Sequence, residues 1–249
     1  MSYSIGLAGK GGTGKTTLAG FLIKYLVEKG KKPVLAVDAD ANSNLNEVLG
    51  LKVTETLGEA RDEMKKGVAT GMTKDVFMEM KLEQSVVEAD GFDLIVMGRP
   101  EGAGCYCAAN TLLTQYLDRL IDNYPYTVID NEAGMEHISR LTTNNINLLL
   151  MVSDPTRRGF QAATRIVELT DELNLHIDKR LLIVNQIKKG QEEVVQKAVS
   201  DFPLDLLGTI PEDPEVMTFD LEGRPTIELS SNGLAVSTAY HLFDKMLGE

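Results

Sequence analysis

The chain has 249 residues, of which 43% are hydrophobic and 25% charged, and its formal net charge is −12. A chain of this length buries a core without disulfides or structural metal, and one-piece α/β folds reach this size. The acidic balance argues against nucleic acid or an anionic membrane as a partner, because both require a basic face. The N-terminus lacks a signal peptide pattern, and no apolar run approaches the roughly 20 residues that cross a bilayer. We therefore expect a cytoplasmic protein.

Short aliphatic runs alternate with longer amphipathic stretches along the chain. The aliphatic runs predict strands at residues 3–8, 33–38, 92–97, 126–130, 147–153, 180–186 and 206–210. The amphipathic stretches predict helices at residues 15–29, 56–66, 73–89, 108–123, 157–174, 190–200 and 231–247. Most strands are continuously apolar, which is typical of parallel strands covered by helices on both faces. The sequence therefore predicts one α/β domain over residues 1–249, with a doubly wound, mostly parallel sheet of seven or eight strands.

A glycine-rich segment, GKGGTGKTT, lies between the first predicted strand and the first predicted helix. It matches the G-x-x-x-x-G-K-[ST] phosphate loop in the strand-to-helix context that this motif requires. Its glycines allow successive N–H groups to point at phosphate oxygens, and the helix dipole adds to the attraction. Lys15 is expected to neutralise the β- and γ-phosphates, and Thr16 to bind Mg²⁺ through its hydroxyl. The predicted nucleotide-binding residues are Gly9, Lys10, Gly11, Gly12, Thr13, Gly14, Lys15, Thr16 and Thr17.

The loop contains a second lysine, Lys10, and GKGGTGKT resembles the deviant Walker A loop of the MinD, ParA, ArsA and nitrogenase iron-protein ATPases. The resemblance implies a P-loop NTPase of the MinD/ParA type, in which Lys10 reaches across a dimer interface to the partner's nucleotide. A solvated loop lysine is the alternative for Lys10. The resemblance also implies that Asp40, in the segment DADAN, orients the attacking water, and that Asp38 lies nearer to the Mg²⁺ shell.

A further segment, VIDNEAG at residues 128–134, looks like switch II of these ATPases. The resemblance implies that Asp130 holds a magnesium-bound water and that Gly134 lies near the γ-phosphate. For Asp38, Asp40 and Asp130 alike, capping of the following loop or helix is the alternative.

Two strand ends resemble the adenine-binding positions of the same enzymes, namely VNQI at 184–187 and IPED at 210–213. The resemblance implies that Asn185 reads the edge of the base and that the pocket is lined by Pro211, Glu212 and Asp213. The chain lacks the guanine-reading pattern N-K-x-D, which favours ATP over GTP.

The only two cysteines, Cys105 and Cys107, are separated by one residue in GRPEGAGCYCAAN. A disulfide between them is not expected, because extended residues i and i+2 lie about 6.6 Å apart, at the edge of disulfide geometry. Two thiolates are half of a tetrahedral or square-planar metal site, and a two-fold dimer supplies the other half. Both Zn²⁺ and Ni²⁺ fit these ligands. Buried structural thiols and a redox dithiol are the alternatives.

The cysteine segment, the deviant Walker A loop and NEAGMEH together resemble the CooC/AcsF-type ATPases, from residue 3 to the last predicted helix. The resemblance implies an ATP-hydrolysing maturation factor that dimerises with nucleotide or metal. It also implies a client nickel enzyme, carbon monoxide dehydrogenase or acetyl-CoA synthase, into which nickel is inserted. Two other functions stay open. One is a MinD/ParA-like positioning ATPase, which requires a basic surface or a basic amphipathic helix. The other is an iron–sulfur carrier resembling the nitrogenase iron protein, whose cysteines lie far apart in sequence, whereas here one residue separates them.

Overall fold

A computed structural model describes residues 2–40, 42, 44–67, 71–98, 117–132 and 145–248. Its strands are β1 (Tyr3–Ala8), β2 (Val34–Ala39), β3 (Val87–Glu88), β4 (Phe92–Val96), β5 (Tyr126–Asn131), β6 (Asn145–Ser153), β7 (His176–Ile187) and β8 (Leu206–Pro211). Its helices are α1 (Lys15–Glu28), α2 (Leu45–Leu49), α3 (Leu57–Lys66), α4 (Lys74–Ser85), α5 (Arg157–Glu172), α6 (Glu192–Val199), α7 (Pro214–Leu221) and α8 (Leu234–Leu247). A 3₁₀ turn spans Thr226–Glu228, and residues 117–121 are helical.

The described strands form one eight-stranded sheet in the order β3-β4-β2-β5-β1-β6-β7-β8. Every neighbouring pair from β4 to β8 is parallel, and only β3 runs antiparallel, against β4. The α/β fold with a mostly parallel sheet is thus confirmed. Because β1 lies between β5 and β6, the chain winds outward from it in both directions. Ligands bind such sheets beyond the carboxyl ends of the strands, where the winding reverses.

Helices cover both faces of the sheet, as the continuously apolar strands predict. On one face, Ile5 and Leu7 of β1 pack in a core with Leu22 of α1 and Phe243 of α8. On the opposite face, the β2 side of the sheet packs against α3 and α4, and the β6 and β7 side packs against α5 and α6. The strand ends thus lie at one edge between the two packed faces, and the phosphate loop follows β1 there.

Several predicted boundaries are wrong, each for a local reason. The helix predicted over 73–89 ends at Ser85, because Val86 is extended and Val87–Glu88 pair with Leu94 and Asp93 of β4. The strand predicted from 180 begins at His176, since pairing with β6 extends into a polar stretch that lacks an apolar pattern. Of the helix predicted over 108–123, only the part from residue 117 lies within the described residues, and it ends at 121.

Helices α2 and α7 are absent from the prediction because both are short. Helix α2 has five residues, too few for a periodic apolar pattern. Helix α7 begins with an Asp213 cap and Pro214 at its first turn, which is a recognisable start signal. Of these two residues, Asp213 is also one of the positions predicted to line the adenine pocket.

Candidate functional site

The phosphate loop connects β1 to α1 and packs closely against the ends of β6 and β7. A Cβ atom on Gly9 would lie 2.1 Å from the Val152 carbonyl oxygen of β6. A Cβ atom on Gly14, whose φ is +85°, would lie 2.4 Å from Nδ2 of Asn185 in β7. Both positions therefore require glycine for close approach, and Gly14 also requires it for its left-handed backbone.

Two amides at the end of β7 hold the loop by its carbonyl groups. Asn185 donates from Nδ2 to the Thr13 carbonyl over 2.9 Å, and Gln186 donates from Nε2 to the Gly12 carbonyl over 3.4 Å. Gln186 has a φ of +59°, and the pairing between β7 and β8 is irregular at this point. The resemblance in sequence predicts an adenine contact for Asn185, whereas the sequence carries no distinctive signal for Gln186. The structure shows that Asn185 supports the loop, and its contact with adenine stays a prediction.

Lys15 is buried within the loop, with 7% of its surface exposed. Its ammonium group donates to the Lys10 carbonyl over 3.3 Å, and the Thr13 hydroxyl donates to the same oxygen over 2.9 Å. Burial lowers the pKa of Lys15, and the nearby Asp130 and Asp40 carboxylates oppose that shift. The loop's own backbone thus holds the Lys15 cation in place, whereas the Lys10 side chain is exposed.

Asp38 and Asp130 are register partners on the adjacent strands β2 and β5, and both are buried. Asp38 accepts hydrogen bonds from the backbone N–H groups of Asp40 at 3.1 Å and Leu45 at 3.0 Å. Burial raises the pKa of Asp38 to about 7, against the lowering effect of these donors. The predicted alternative for Asp38, a capping role, is therefore present in the structure, because its carboxylate fixes the turn between β2 and α2.

The surroundings of Asp130 fit a bound cation. The Thr16 hydroxyl donates a hydrogen bond to its carboxylate, yet Oδ1 is buried with no hydrogen-bond partner among the described residues. Burial raises the pKa of Asp130 to about 6, and Thr16 and Lys15 act in the opposite direction. Leaving a carboxylate oxygen buried and unsatisfied is costly unless a cation or proton compensates it. The set of hydroxyl and carboxylate oxygens fits Mg²⁺, which prefers oxygen ligands.

A cleft of about 980 Å³ opens beside these groups at the carboxyl edge of the sheet. Its walls include phosphate-loop residues Gly11, Gly12 and 14–17, together with Asp40, Glu132 and Gln186. The wall is completed by residues 44, 46–48 and 50–52 around α2 and by residues 220 and 223–226. The geometry is suited to an elongated polyanion whose phosphates lie on the loop, because the loop presents N–H groups and Lys15 to that space.

Three residues predicted to bind adenine do not line the cleft that the described residues form: Pro211, Glu212 and Asp213. Asp213 accepts hydrogen bonds from Glu215 N and Ala235 N, both over 2.9 Å, and so joins the starts of α7 and α8. On the cleft wall, Arg224 stacks over the ring of Phe219, with its guanidinium carbon 3.7 Å from the ring centroid. Base contacts by Pro211 to Asp213 stay a prediction.

Cys105, Cys107 and Gly134 lie outside the described residues. In the parts of the chain that are described, no group of three or more histidine, cysteine, aspartate or glutamate side chains could hold a metal ion. The predicted metal site therefore rests on the sequence. Also within the described part, no helix combines the length and the apolar character needed to span a membrane.

Comparison with known proteins decides the family to which this site belongs. The model of the CobQ/CobB/MinD/ParA nucleotide binding domain matches residues 5–227. The chain belongs to this family. It is an ATP-binding P-loop protein of the MinD/ParA type, and its phosphate loop, buried Lys15 and paired carboxylates are in keeping with ATPase activity.

Relatives match the chain over nearly its whole length. An uncharacterized ATP-binding protein of Methanocaldococcus jannaschii is 38% identical over 250 residues, covering 98% of each chain. The carbon monoxide dehydrogenase accessory protein CooC of Rhodospirillum rubrum is 31% identical, covering 91% of this chain and 90% of that protein. Among solved structures, the MinC:MinD cell division protein complex of Aquifex aeolicus superposes with a TM-score of 0.75 at 23% identity, covering 100% of this chain and 96% of that one. This last likeness concerns the fold alone.

Proposed function

We propose that this protein is an ATP-hydrolysing maturation factor that supports nickel insertion into a client enzyme, carbon monoxide dehydrogenase or acetyl-CoA synthase. The observation that carries the proposal is the buried, unsatisfied Oδ1 of Asp130 beside Thr16 and Lys15, because it supports a site for Mg²⁺ and nucleotide. The choice of client is supported by the similarity to CooC and by the Cys105–Cys107 pair.

The nucleotide half of the proposal assigns roles to this chain's own residues. The loop N–H groups and Lys15 bind the phosphates, and Thr16, Asp38 and Asp130 are the residues that would hold Mg²⁺. Bound Mg²⁺ supplies charge neutralisation at the β- and γ-phosphates. Asp40 orients the attacking water; its backbone N–H is anchored to Asp38, and its Oδ1 accepts from Asn42 N over 2.8 Å.

Within the nucleotide half, the adenine contacts are assigned to residues at the ends of β7 and β8. In this proposal Asn185 reads the edge of the base, and its position is supported by the hydrogen bond from its amide nitrogen to the Thr13 carbonyl. Pro211, Glu212 and Asp213 complete the adenine site in this proposal. Gln186 joins them, because it is on the cleft wall and touches the Gly12 carbonyl.

The metal half of the proposal requires a homodimer. Lys10 is exposed at the loop, from which it can cross to a partner's nucleotide. Cys105 and Cys107 of two chains supply four thiolates to one Ni²⁺ or Zn²⁺, which is cargo for the client. Nucleotide state alters metal affinity only if the two dimer states bind metal differently.

The decisive experiment is a titration of metal and of Mg²⁺–ATP, separately and together, with the mass of the protein measured in solution. The proposal expects a dimer with one bound metal ion for two chains, and nucleotide-dependent activation of a metal-free client enzyme. A chain that stays monomeric with both ligands present contradicts the proposal.

A MinD-like positioning role is the second candidate, because the Bacillus subtilis septum site-determining protein MinD is 26% identical over 97% of this chain. Co-sedimentation with anionic liposomes and with DNA separates the two functions. ATP-dependent sedimentation with either would favour positioning. The net charge of −12 argues for the maturation factor, because both surfaces are anionic.

A further inference from the structure

The side chain of Arg224 forms a flat surface on the wall of the cleft. Its guanidinium carbon lies 3.7 Å from the centre of the Phe219 ring, and Phe219 is buried within α7. At the edge of the guanidinium group, Nη1 donates to Oε2 of Glu222 over 3.2 Å. Half of the Arg224 side chain stays exposed, and the residue lines the cleft. One face of the guanidinium plane therefore covers Phe219, and the opposite face is left to the cleft.

The backbone holds Arg224 in this position. Arg224 N donates to the Phe219 carbonyl over 2.9 Å, and Gly223, whose φ is +64°, donates to the carbonyl of the third residue before it. These are the two hydrogen bonds of a Schellman motif at the end of α7. The next residue, Pro225, packs against the end of α2, since a Cβ atom on Gly50 would lie 2.8 Å from its Cγ. Because the surface is built before any ligand arrives, little conformational freedom is lost on binding.

The charges around Arg224 favour a nucleoside over a phosphate group at this place. The wall around α2 and the end of α7 carries the cations Arg224 and Lys52 and the carboxylates Glu47 and Asp220, which offset one another. The phosphate loop instead presents N–H groups and Lys15. Both parts belong to one cleft of about 980 Å³, within the range of pockets that hold small ligands. Phosphates on the loop therefore leave the nucleoside to the wall with Arg224.

Two buried oxygen atoms on this wall lack hydrogen-bond donors. No group of the described residues bonds to Oδ1 of Asn46 or to Oγ1 of Thr226, and both residues line the cleft. A buried polar atom without a partner in the protein calls for a ligand or water that supplies one. Ionised phosphate oxygens only accept hydrogen bonds, whereas a nucleoside donates through its amino and hydroxyl groups. The hydrogen-bonding character of the wall thus agrees with its charge.

We propose that Arg224 is a specificity-determining residue of the nucleotide site, and that the exposed face of its guanidinium group stacks on the adenine base. Guanidinium planes stack on aromatic rings and on nucleobases, so Phe219, Arg224 and the base form three successive layers. The inference rests on the proposed function for the binding of ATP at the phosphate loop, and not for metal or client. It requires no contact from Pro211, Glu212 or Asp213, which do not line the cleft.

The test compares ADP with inorganic pyrophosphate, which has two phosphates and no nucleoside. Each is titrated calorimetrically with Mg²⁺ into the full chain. In Arg224→Ala the Kd for ADP should rise by at least about 5-fold, the lower range for the loss of stacking on a base. The Kd for pyrophosphate should stay within about 2-fold of the wild type, since only the base contact is removed. Arg224→Lys keeps the charge without the plane and should lose ADP affinity as Arg224→Ala does.

Arg157→Ala is the matched control. The guanidinium carbon of Arg157 lies 5.4 Å from the centre of the Phe202 ring, and its Nη1 is 3.5 Å from Oδ2 of Asp201. The variant therefore loses a cation, a ring contact and an ion pair at a place that does not line the cleft. It should bind both ligands as the wild type does. Thermal unfolding is measured for each variant, and if Arg224→Ala does not fold, Arg224→Lys, whose aliphatic chain still covers Phe219, carries the test.

Four results overturn the stacking role: unchanged ADP affinity in the folded Arg224 variants, an equal loss for ADP and pyrophosphate, recovery of ADP affinity in Arg224→Lys, or the same loss in Arg157→Ala. An equal loss identifies a phosphate contact, and recovery by lysine identifies a contact of charge alone. In each of these cases the wild type still binds ADP, so the proposed function stands. A wild type that binds neither ligand contradicts both the proposed function and the stacking role.

Discussion

Asp38 and Asp130 lie side by side on β2 and β5, each buried and each with a carboxyl pKa above the ordinary 3.8, at about 7 and about 6. In the folded chain each carboxyl group therefore stays protonated to a higher pH than it does in the unfolded chain. Two adjacent buried carboxylates repel each other when both are ionised, and burial deprives both of water. The free energy of unfolding should therefore depend on the protonation of this pair and on a cation bound beside it.

The first prediction concerns stability against pH in the metal- and nucleotide-free protein. Because both folded pKa values are raised, their contribution to stability is present below the unfolded pKa and is lost as pH rises through the folded pKa. Between about pH 4 and pH 7 the free energy of unfolding should lose on the order of 6 kcal/mol from this pair, with the larger share from Asp38. Chemical denaturation across that range measures it, with Mg²⁺ and ADP expected to reduce the loss. A pair contribution that grows with pH would contradict the assignment.

Asp130→Asn isolates the contribution of one of the two carboxyl groups. The amide keeps the shape and an acceptor for Thr16 but carries no charge, so the variant should lose less stability between about pH 4 and pH 7 than the wild type. Mg²⁺-dependent ATP hydrolysis should fall by at least about 100-fold, as expected when electrostatic stabilisation at the reacting phosphate is lost. Denaturation curves and phosphate release are measured on the same preparation.

A second prediction separates the two lysines of the loop. Lys15→Ala should abolish nucleotide binding, because it removes the cation placed at the phosphates. Lys10→Ala should keep nucleotide binding in the monomer and lose hydrolysis, because its proposed role is in the partner's site. Calorimetry with ADP and a steady-state ATPase assay distinguish the two variants. Persistent ATP affinity in Lys15→Ala would refute the phosphate-loop assignment.

The local part of this architecture could be predicted from the sequence. Strand β1, the loop and α1 follow one another within 26 residues, Tyr3–Glu28, and each has a strong local signal. The alternation of apolar strands and amphipathic helices was sufficient to predict a mostly parallel sheet, which β1 to β8 confirm. Motif spacing also placed Asp38 and Asp130 at strand ends.

Contacts between distant segments could not be predicted. Asn185 donates a hydrogen bond to the Thr13 carbonyl, 172 positions away in sequence, and no pattern in either segment predicts that contact. The capping of α7 and α8 by Asp213 is similar, since the sequence shows an Asp-Pro start but not the second bond to Ala235. Such pairings depend on how whole strands and helices pack, which local periodicity does not determine.

A third prediction compares two glycines of the loop. Gly9→Ala would place a Cβ atom 2.1 Å from the Val152 carbonyl, so the loop must move away from β6. Gly12→Ala meets no atom within 4 Å and carries only the cost of its φ of +80°, about 1–2 kcal/mol. We expect Gly9→Ala to be the more destabilised variant and to lose nucleotide affinity. Thermal unfolding and ADP titration compare them, and equal losses would contradict the proposed contact with β6.

A fourth prediction tests the support that Asn185 gives to the loop. Asn185→Ala removes the donor to Thr13 and should lower the free energy of unfolding by about 1 kcal/mol, the net value of one such hydrogen bond. If Asn185 also reads adenine, the variant should lose affinity for ATP and much less for inorganic triphosphate. Equal losses for both ligands would assign Asn185 to loop support alone. Gln186→Ala, measured in the same way, shows whether the neighbouring amide shares either role.

The last prediction concerns the cysteine pair. In a dimer, Cys105 and Cys107 from each chain supply the four thiolates of one tetrahedral or square-planar ion. The wild type should therefore bind one Ni²⁺ or Zn²⁺ for two chains. Cys105→Ser replaces one soft ligand on each side of the dimer axis by a hydroxyl and should weaken binding by at least about 10-fold. Ser153→Ala, which removes a hydroxyl that donates to the Asp154 carbonyl over 2.8 Å, serves as a control outside the pair.

Elemental analysis after size separation gives the metal content, and unchanged stoichiometry in Cys105→Ser would refute thiolate ligation. If Cys105→Ser loses metal but keeps nucleotide binding, the metal site and the nucleotide site are two distinct sites, which is the condition for any coupling between them.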